Sequence, residues 1–198
     1  MLKMKCPYCG KQKIVPIIYG YPGNDLFIKE ENKEIRLGGS VSEKKKPQKY
    51  CLSCEKPFDK IHPDSLLVQK CCFFIGGYVG TSYNLEITQL KNSFNISCQK
   101  SNDRYENFIE IRNINIELSQ WACIWKNILK CYVYDWNEKY VDNNIIDGTN
   151  WELHIESISE LNIEENLEIL NSSGENQYPV YYNKLLRIFS KLIGEKIA

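Results

Sequence analysis

The sequence predicts an α+β fold, in which a small cysteine-bearing module precedes an antiparallel sheet with two helices on one face. Three observations predict it. Two Cys-x-x-Cys pairs occur early in the chain. Beyond residue 70, apolar residues alternate with polar ones in several segments, and two other segments carry apolar residues at spacings of three and four. Because the strands follow one another without repeated strand–helix–strand crossovers, an antiparallel sheet is favoured.

Four of the nine cysteines have the spacing of metal ligands. Residues 6–9 and 51–54 each place two sulfurs in one tight turn, where backbone N–H groups stabilise thiolates. Four thiolates form a closed tetrahedral set, which favours one structural Zn²⁺ ion, with iron in an all-thiolate site as an alternative. Two further alternatives are disulfides, which an expected cytosolic location disfavours, and redox pairs, which Pro7 and Gly10 disfavour because they indicate a turn. The predicted zinc ligands are Cys6, Cys9, Cys51 and Cys54.

A long insert separates the two pairs. They lie 41 residues apart, whereas a compact zinc ribbon has about 15–20 residues between them. Within the insert, β-branched residues at 13–19 predict a strand, residues 26–34 predict a short helix after Asn24, and residues 35–41 predict a second strand. The module is therefore predicted to be a zinc ribbon with a long insert.

The remainder of the chain predicts the order β-β-β-β-α-β-β-α. Glycines between the first two strands indicate a hairpin. At Leu118 the spacing of apolar residues changes from two to three and four, which marks the start of the first helix. Pro179 is expected to start the last helix and Gly194 to end it. The predicted strands are 71–78, 81–90, 94–99, 107–118, 151–158 and 161–170, the first helix runs from 118 to about 134, and residues 172–176 are expected to form a polar loop.

Charge and composition divide the chain into two parts. Residues 1–70 hold 14 Lys/Arg against 8 Asp/Glu, a balance of +6, and residues 71–198 hold 11 against 17, a balance of −6. We therefore predict a zinc-ribbon module over residues 1–62 and an α+β domain over residues 63–198. The whole chain has zero net charge, which argues against a uniform nucleic-acid or membrane binder. With no long apolar run and no signal peptide before Cys6, a cytoplasmic protein without a membrane span is expected.

Two sets of residues resemble known patterns. The two cysteine pairs, together with residues 15–22 and 37–39, resemble the zinc-ribbon modules of uncharacterised bacterial proteins. Residues 147–153 (Asp-Gly-Thr-Asn-Trp-Glu-Leu) and 173–179 (Ser-Gly-Glu-Asn-Gln-Tyr-Pro) are similar to a strand–loop–helix unit of other uncharacterised bacterial proteins. The resemblance implies a bacterial or phage protein with a structural zinc ion, and it implies no catalytic residues. Ser40 stands where the pattern often has a further cysteine, and Glu55 stands where a glycine usually follows the second pair.

The sequence favours a protein that is not an enzyme. Only two histidines occur, His62 and His154, and neither has a predicted partner. Phosphate-binding loops, dinucleotide fingerprints, nucleophile elbows and zinc-protease or deaminase patterns are absent. A cluster of acidic residues with one lysine is interpreted as a solvated helix end, and a metal-dependent hydrolase using its first two carboxylates is the least favoured hypothesis. The cluster comprises Asp135, Glu138, Lys139 and Asp142.

Two function classes remain. The favoured one is a non-enzymatic, zinc-containing binding or regulatory protein that acts through protein–protein contacts, including an inhibitor whose acidic domain blocks the basic cleft of another enzyme. The alternative is nucleic-acid binding through the basic module, in which lysines contact phosphates; the scarcity of arginine argues against base reading. The lysines of this alternative are Lys11, Lys13, Lys44, Lys45, Lys46 and Lys49.

Overall fold

A computed structural model describes residues 4–40, 46–59, 64–77, 79–103, 106–142, 144, 148–158 and 167–197. The chain forms two units. The first, here called the cysteine unit, comprises Met1–His62 and the distant segment Tyr132–Trp136. The second, the sheet unit, comprises Pro63–Cys131 and Asn137–Ala198. The chain therefore returns to the cysteine unit for five residues after the first part of the sheet unit is complete.

The cysteine unit contains a four-stranded sheet and one short helix. Its elements are β1 (Ile14–Ile18), α1 (Asn24–Glu31), β2 (Arg36–Leu37), β3 (Lys49–Cys51) and β4 (Lys56–Phe58). The strand order is β2-β1-β3-β4, with β1 parallel to β2 and the other pairs antiparallel. Because Ile14 pairs with Cys51, the start of β1 and the end of β3 bring both cysteine pairs to the same end of the sheet.

The insert differs from its predicted form in the lengths of its elements. Helix α1 begins and ends earlier than the predicted 26–34 and buries none of its side chains. Strand β2 has only two residues instead of the predicted 35–41, whose last residue lies outside the described part. A Cβ on Gly38 would lie 2.3 Å from the Tyr19 ring, and Gly39 has a φ of +76°. These two glycines end the strand by a close approach and a left-handed turn.

The sheet unit confirms the α+β class, with a seven-stranded sheet in the order β8-β7-β6-β5-β10-β11-β9. All neighbouring strands are antiparallel except β11 and β9, which are parallel. Its elements are β5 (Val68–Gly77), β6 (Ser82–Gln89), β7 (Ser93–Ser101), β8 (Ile109–Glu117), α2 (Leu118–Leu129), β9 (Lys139–Val141), β10 (Thr149–Ile158), β11 (Leu167–Glu175) and α3 (Tyr182–Ile193).

One edge strand is missing from the predicted order. Strand β9 has three residues, too few for an alternating pattern to register in the sequence. Hydrogen bonds at both ends hold it: the Ser173 N–H donates to the Glu138 carbonyl at 2.9 Å, and the Asp142 N–H donates to the Glu175 carbonyl at 3.2 Å. The sheet is therefore antiparallel with one parallel edge, whereas the prediction was wholly antiparallel.

Helices α2 and α3 cover the same face of the sheet. On that face the side chains of β5, β7 and β10 are buried. Trp121 of α2 stacks on Phe94 with ring centroids 4.6 Å apart, and Phe189 of α3 lies 5.0 Å from Phe73. The Trp121 indole N–H also donates to the Ser65 carbonyl at 2.9 Å. These aromatic contacts form the core of the sheet unit, and burial of such large side chains is its main source of stability.

Two element ends differ from prediction for local reasons. Helix α2 ends at Leu129, short of the predicted Tyr134, because Tyr132 has a left-handed backbone with a φ of 56°. The expected loop at 172–176 is wrong, since β11 continues to Glu175. Ser172 is buried, and its hydroxyl donates to the Asn137 carbonyl at 2.7 Å. A polar residue is tolerated within the strand because its hydrogen bond is satisfied there. Residues 161–166 of the predicted strand lie outside the described part.

The final helix follows its predicted end. Helix α3 starts at Tyr182, three residues after Pro179, and Gly194 caps it with a φ of 78°. Searched over the described residues, the chain has no helix with the length and apolar character that a membrane crossing requires.

Candidate metal centre

The four candidate ligand cysteines lie together at one end of the small sheet. Their Sγ atoms are all within 4.8 Å of one another, with Cys6 and Cys54 3.6 Å apart and Cys9 and Cys51 3.7 Å apart. Disulfides have S–S distances of about 2.05 Å, so these are free thiols. A tetrahedral ion with sulfurs at about 2.3 Å separates them by roughly 3.8 Å. The spacing of the sulfurs therefore fits a four-thiolate metal site.

Two similar backbone turns aim the sulfurs at one point. The Gly10 N–H donates to the Cys6 carbonyl at 3.0 Å, and the Glu55 N–H donates to the Cys51 carbonyl at 2.8 Å. Gly10 and Glu55 both have left-handed backbones, with φ angles of 70° and 56°. The turns are tied together because the Leu52 N–H donates to the Lys13 carbonyl at 2.8 Å. Each turn is thus positioned by the sheet.

The protonation of the cluster depends on burial and on the turn N–H groups. Burial acts to raise the pKa of Cys51, but hydrogen bonds from the backbones of Cys54 and Ser53 and from neighbouring thiols lower it to about 7. Burial and the adjoining thiols raise the pKa of Cys54 to about 12. Burial also raises the pKa of Cys6. Four thiolates this close repel one another, so a cation is needed to hold them all ionised.

The donor set leaves no open coordination position. Thiolate sulfur suits Zn²⁺ or iron and disfavours Mg²⁺ and Ca²⁺. Four protein ligands complete a tetrahedral shell, which is typical of structural sites, whereas catalytic sites keep one position for water or substrate. Cys6 and Cys51 are buried and Cys9 is exposed, so a chelator can reach the cluster from one side.

The segment Tyr132–Trp136 supports the first cysteine turn. Asp135 is buried, and its carboxylate accepts a hydrogen bond from the Asp59 N–H at 3.1 Å. It also lies 3.5 Å from the hydroxyl of Tyr8, which stands between Cys6 and Cys9. The ring of Tyr132 packs edge-on against Phe58 at 5.5 Å. The distant segment is therefore part of the structure that surrounds the cysteines.

This role of Asp135 is a correction to its interpretation as a solvated residue. The predicted first helix ran to about Tyr134, so Asp135 was expected at a solvated helix end. The early end of α2 at Leu129 instead sends the chain into the cysteine unit. The sequence signal for this early end is that apolar residues no longer recur at spacings of three and four after Tyr132. Glu138 and Lys139 are exposed, and the four cysteines are the only cluster of metal-ligating side chains among the described residues, so the acidic residues are not brought together as a metal site.

Replacing Asp135 with alanine is expected to destabilise the cysteine unit. The change removes a buried carboxylate together with its hydrogen bond from the Asp59 N–H, and the loss of a hydrogen bond to a charged group costs about 1.5–3 kcal/mol. Urea unfolding of the metal-loaded protein, with hydrogen exchange to locate the effect, measures it. Glu138→Ala, at an exposed position nearby, serves as the control and should change stability by less than about 0.5 kcal/mol. Equal stability of the two variants would contradict the supporting role of Asp135.

The second turn allows a stabilising substitution. Glu55 has the left-handed backbone that glycine adopts without strain, and a non-glycine residue pays about 1–2 kcal/mol for it. Glu55→Gly is expected to stabilise the cysteine unit by about 0.5–1 kcal/mol after the added flexibility of the unfolded chain is subtracted. Gly10→Ala, at the matching position, should act in the opposite direction. Thermal unfolding of the metal-loaded proteins tests the pair, and destabilisation by Glu55→Gly would refute the expectation.

The four candidate nucleic-acid lysines that the structure describes differ in exposure. Lys11 and Lys13 are exposed. Lys46 is only 8% exposed; its ammonium donates to the Ser40 carbonyl and lies 4.7 Å from the Tyr19 ring centroid. Lys49 is half-buried and forms an ion pair with Asp59. Lys44 and Lys45 lie outside the described residues. Two of the four described lysines are therefore already engaged within the protein.

His154 lies on the outer face of the sheet beside two polar partners. Its Nε2 is 2.7 Å from a Glu156 carboxylate oxygen, and its Nδ1 is 2.6 Å from the Asn171 side-chain oxygen. Cys72 is opposite His154 in the strand pair, but burial raises the pKa of this thiol to about 11. A thiol with that pKa is a poor nucleophile. His62 lies outside the described residues.

The pH dependence of stability should reveal the His154 contacts. Burial acts to lower the His154 pKa, but the hydrogen bonds to Glu156 and Asn171 outweigh it, and the pKa is raised. A raised folded-state pKa stabilises the fold below the unfolded value of about 6.5, and this contribution is lost as pH rises through the folded pKa. Wild type should therefore exceed His154→Gln in urea stability at pH 5.5 and lose that advantage by pH 9. An advantage that grows with pH would contradict this assignment.

The second resembling pattern has a structural explanation. The Thr149 N–H donates to the Asn176 side-chain oxygen at 2.8 Å, and the Trp151 indole N–H donates to the Gln177 carbonyl at 2.9 Å. A Cβ on Gly148 would lie 1.5 Å from that Asn176 oxygen, and one on Gly174 would lie 2.3 Å from the Trp151 Nε1. These residues fit the start of β10 against the end of β11, so they maintain the fold.

Comparison with known proteins adds no relative. No family model, no curated protein and no solved structure matches the chain. The four-cysteine cluster is consistent with a zinc ribbon, and this is the part of the predicted resemblance that has support.

Proposed function

We propose that this protein is a non-enzymatic binding or regulatory protein with one structural Zn²⁺ ion, held by Cys6, Cys9, Cys51 and Cys54. The observation that carries the proposal is the closed set of four sulfurs, whose separations of 3.6 and 3.7 Å match a tetrahedral thiolate site. The ion, when bound, offsets the repulsion between the four thiolates and cross-links the two turns. Its role is to hold the shape of the cysteine unit.

Zinc is favoured among the metals that accept four thiolates. Zn²⁺ has no preferred geometry of its own and adopts the tetrahedral arrangement that the turns impose. A cytoplasmic location suits the chemistry, because reducing compartments keep cysteines from forming disulfides, and none of the nine cysteines of this chain is in a disulfide.

Several observations support binding over catalysis. A closed metal site offers no position for substrate, and the four cysteines form the only group of three or more clustered metal-ligating side chains among the described residues. The cysteine unit also exposes large apolar side chains at and before α1: Tyr21 is 101%, Phe27 49% and Ile28 57% exposed. Contiguous exposed apolar surface marks protein interaction sites, and these three side chains lie close together in the sequence. Inhibition of another enzyme is a narrower version of this role.

Metal analysis and partner capture test the proposal together. Purified protein should contain one zinc per chain by elemental analysis, and a tagged chain should retain a protein partner from nuclease-treated host lysate. Cys123→Ser, which alters an exposed thiol on α2, is the matched control for ligand variants and should keep both properties. Absence of zinc overturns the metal assignment. Capture of no protein by the zinc-loaded chain overturns the binding role.

Nucleic-acid binding through the cysteine unit is the alternative. It is supported by the exposed Lys11 and Lys13 next to the first cysteine turn and weakened by the engagement of Lys46 and Lys49. Binding of a labelled oligonucleotide across a salt series tests it, because affinity that rests on phosphate contacts falls steeply with salt. Lys11→Glu with Lys13→Glu should then abolish the affinity.

A further inference from the structure

The acidic sheet unit has a basic helical surface. Residues 71–198 carry a balance of −6, yet neither α2 nor α3 contains Asp or Glu. The exposed cations on these helices and at the end of α2 are Lys126, Lys130, Lys184, Arg187 and Lys191. Within the described part of the chain, none of these five forms an ion pair with a carboxylate. Positive charge is thus concentrated on the helices, although the net charge of the domain is negative.

A groove with an apolar lining runs beside these cations. It has a volume of about 360 Å³ and lies between α2 and α3. Ile124 of α2 and Ile188 and Leu192 of α3 supply aliphatic side chains, and Asn127 adds an amide. The groove is also lined by Lys184, Arg187 and Lys191, which recur at spacings of three and four and therefore lie along one side of α3.

One of the groove cations, Lys184, is held in place without being neutralised. The Lys184 ammonium donates to the carbonyl of Lys130 at 2.8 Å and lies 5.5 Å from the Tyr181 ring centroid. A carbonyl and an aromatic face orient an ammonium but leave its charge uncompensated. Arg187 offers a planar fork that accepts a carboxylate through two hydrogen bonds. The groove therefore combines aliphatic contact with an ordered row of positive charge.

We propose that this groove binds an acidic amphipathic helix of a protein partner. Apolar side chains at spacings of three and four would enter between α2 and α3, and Asp or Glu beside them would pair with Arg187 and Lys191. The inference rests on the proposed binding function and names the partner's chemistry. The partner's contact surface is acidic in this proposal, whereas the inhibitor hypothesis requires a partner with a basic cleft.

The lining favours a peptide over other anionic ligands. Single-stranded nucleic acid is bound by aromatic platforms that stack on bases, and the lining of this groove is aliphatic. Anionic membranes attract clusters of positive charge, but the rest of the sheet unit is acidic and would be repelled by the same surface. An amphipathic helix uses both the aliphatic and the basic parts of the groove.

Peptide selection on the zinc-loaded full chain tests the proposal. The probe is a display library of helical peptides of about 16 residues, long enough for several helical turns, with apolar residues at spacings of three and four and Asp, Glu, Lys, Arg or Ser elsewhere. Selected peptides should be enriched in Asp and Glu and should protect α2 and α3 from hydrogen exchange. Recovery of no binder, or of neutral or basic binders, overturns the proposal.

Charge reversal supplies the matched comparison. Arg187→Glu with Lys191→Glu should weaken a selected, fluorescein-labelled peptide at least about tenfold in anisotropy titrations. Lys91→Glu with Lys139→Glu gives the same change in net charge at exposed positions outside the groove and should change affinity less than about twofold. Equal losses in the two double variants would overturn the proposal, since they would indicate a general charge effect.

Two further measurements separate the proposal from its alternatives. A labelled single-stranded oligonucleotide and phosphatidylserine vesicles are titrated with the same variants. If either ligand binds more tightly than the peptide and its binding requires Arg187 and Lys191, the groove is a nucleic-acid or membrane site and the peptide proposal is overturned. Capture of the native protein partner is then repeated. If the partner is retained by Arg187→Glu with Lys191→Glu, the groove proposal fails while the binding function stands; if wild type captures no partner, the binding function itself fails.

Discussion

Replacing Cys51 with serine is expected to abolish stoichiometric metal binding and to unfold the cysteine unit. Cys51 is fully buried, its Sγ lies 3.7 Å from that of Cys9, and it joins the end of β3 to the metal site. A unit of this size buries little apolar surface and is only marginally stable by itself, and structural zinc supplies about 10–16 kcal/mol in comparable small modules. Elemental analysis should find less than one zinc per chain, and hydrogen exchange should show loss of protection at 4–59.

The same experiment contains its controls. Cys123→Ser removes an exposed thiol outside the cluster and should keep the metal and the protection. A strong chelator added to wild type should reproduce the Cys51→Ser pattern. Protection should also fall at Tyr132–Trp136, which belongs to the same unit, whereas β5 and β10 should keep theirs because they have a separate core. Full metal content in Cys51→Ser would refute the four-thiolate site.

Gly174→Ala is expected to destabilise the sheet unit by about 3 kcal/mol or more. The added methyl would lie 2.3 Å from the Trp151 Nε1 and 2.6 Å from the Gln177 carbonyl oxygen. Trp151 is fully buried and its ring lies 5.0 Å from that of Tyr182, so it has no space to move. Overpacking typically costs about 1–3 kcal/mol, and the lost indole hydrogen bond adds to that cost. Urea unfolding followed by tryptophan fluorescence measures the change.

The neighbouring residue provides the control for this substitution. Glu175 is exposed at the end of β11, and Glu175→Ala should alter stability by less than about 0.5 kcal/mol. An unchanged unfolding midpoint in Gly174→Ala would show that the end of β11 can relax around a methyl group. The close fit between the two patterned segments would then not explain why these residue types occur there.

The sequence predicted the cysteine cluster and the class of the fold because both depend on local patterns. Two residues between cysteines define a turn whatever the rest of the chain does, and the four sulfurs then need only one sheet to bring them together. The alternation of apolar and polar residues along β5, β6 and β10 similarly indicates that one face of each strand is buried. These patterns are strong because each depends on the repeated burial of large apolar side chains.

Features that depend on distant partners were not predictable in the same way. Strand β9 exists because its backbone bonds to β11, and its three residues carry no pattern of their own. Asp135 is buried because Asp59 and Tyr8 supply hydrogen-bond donors from more than 70 positions away. The end of α2 depends on one left-handed residue, Tyr132, which helix periodicity does not reveal. The basic groove was not predicted because the net charge of residues 71–198 was counted as a whole, whereas the cations of α3 lie together along one side of that helix.

The return of the chain at Tyr132–Trp136 has a consequence for synthesis. Domains generally fold in order as they leave the ribosome, at about 5–20 residues per second. Here the cysteine unit lacks Tyr132 and Asp135 until Trp136 has been made, although all four cysteines emerge long before. The nascent chain must therefore carry its thiols, with or without metal, through several seconds of translation before their unit is complete. Early metal capture would protect those thiols from oxidation and from wrong pairing with the five other cysteines.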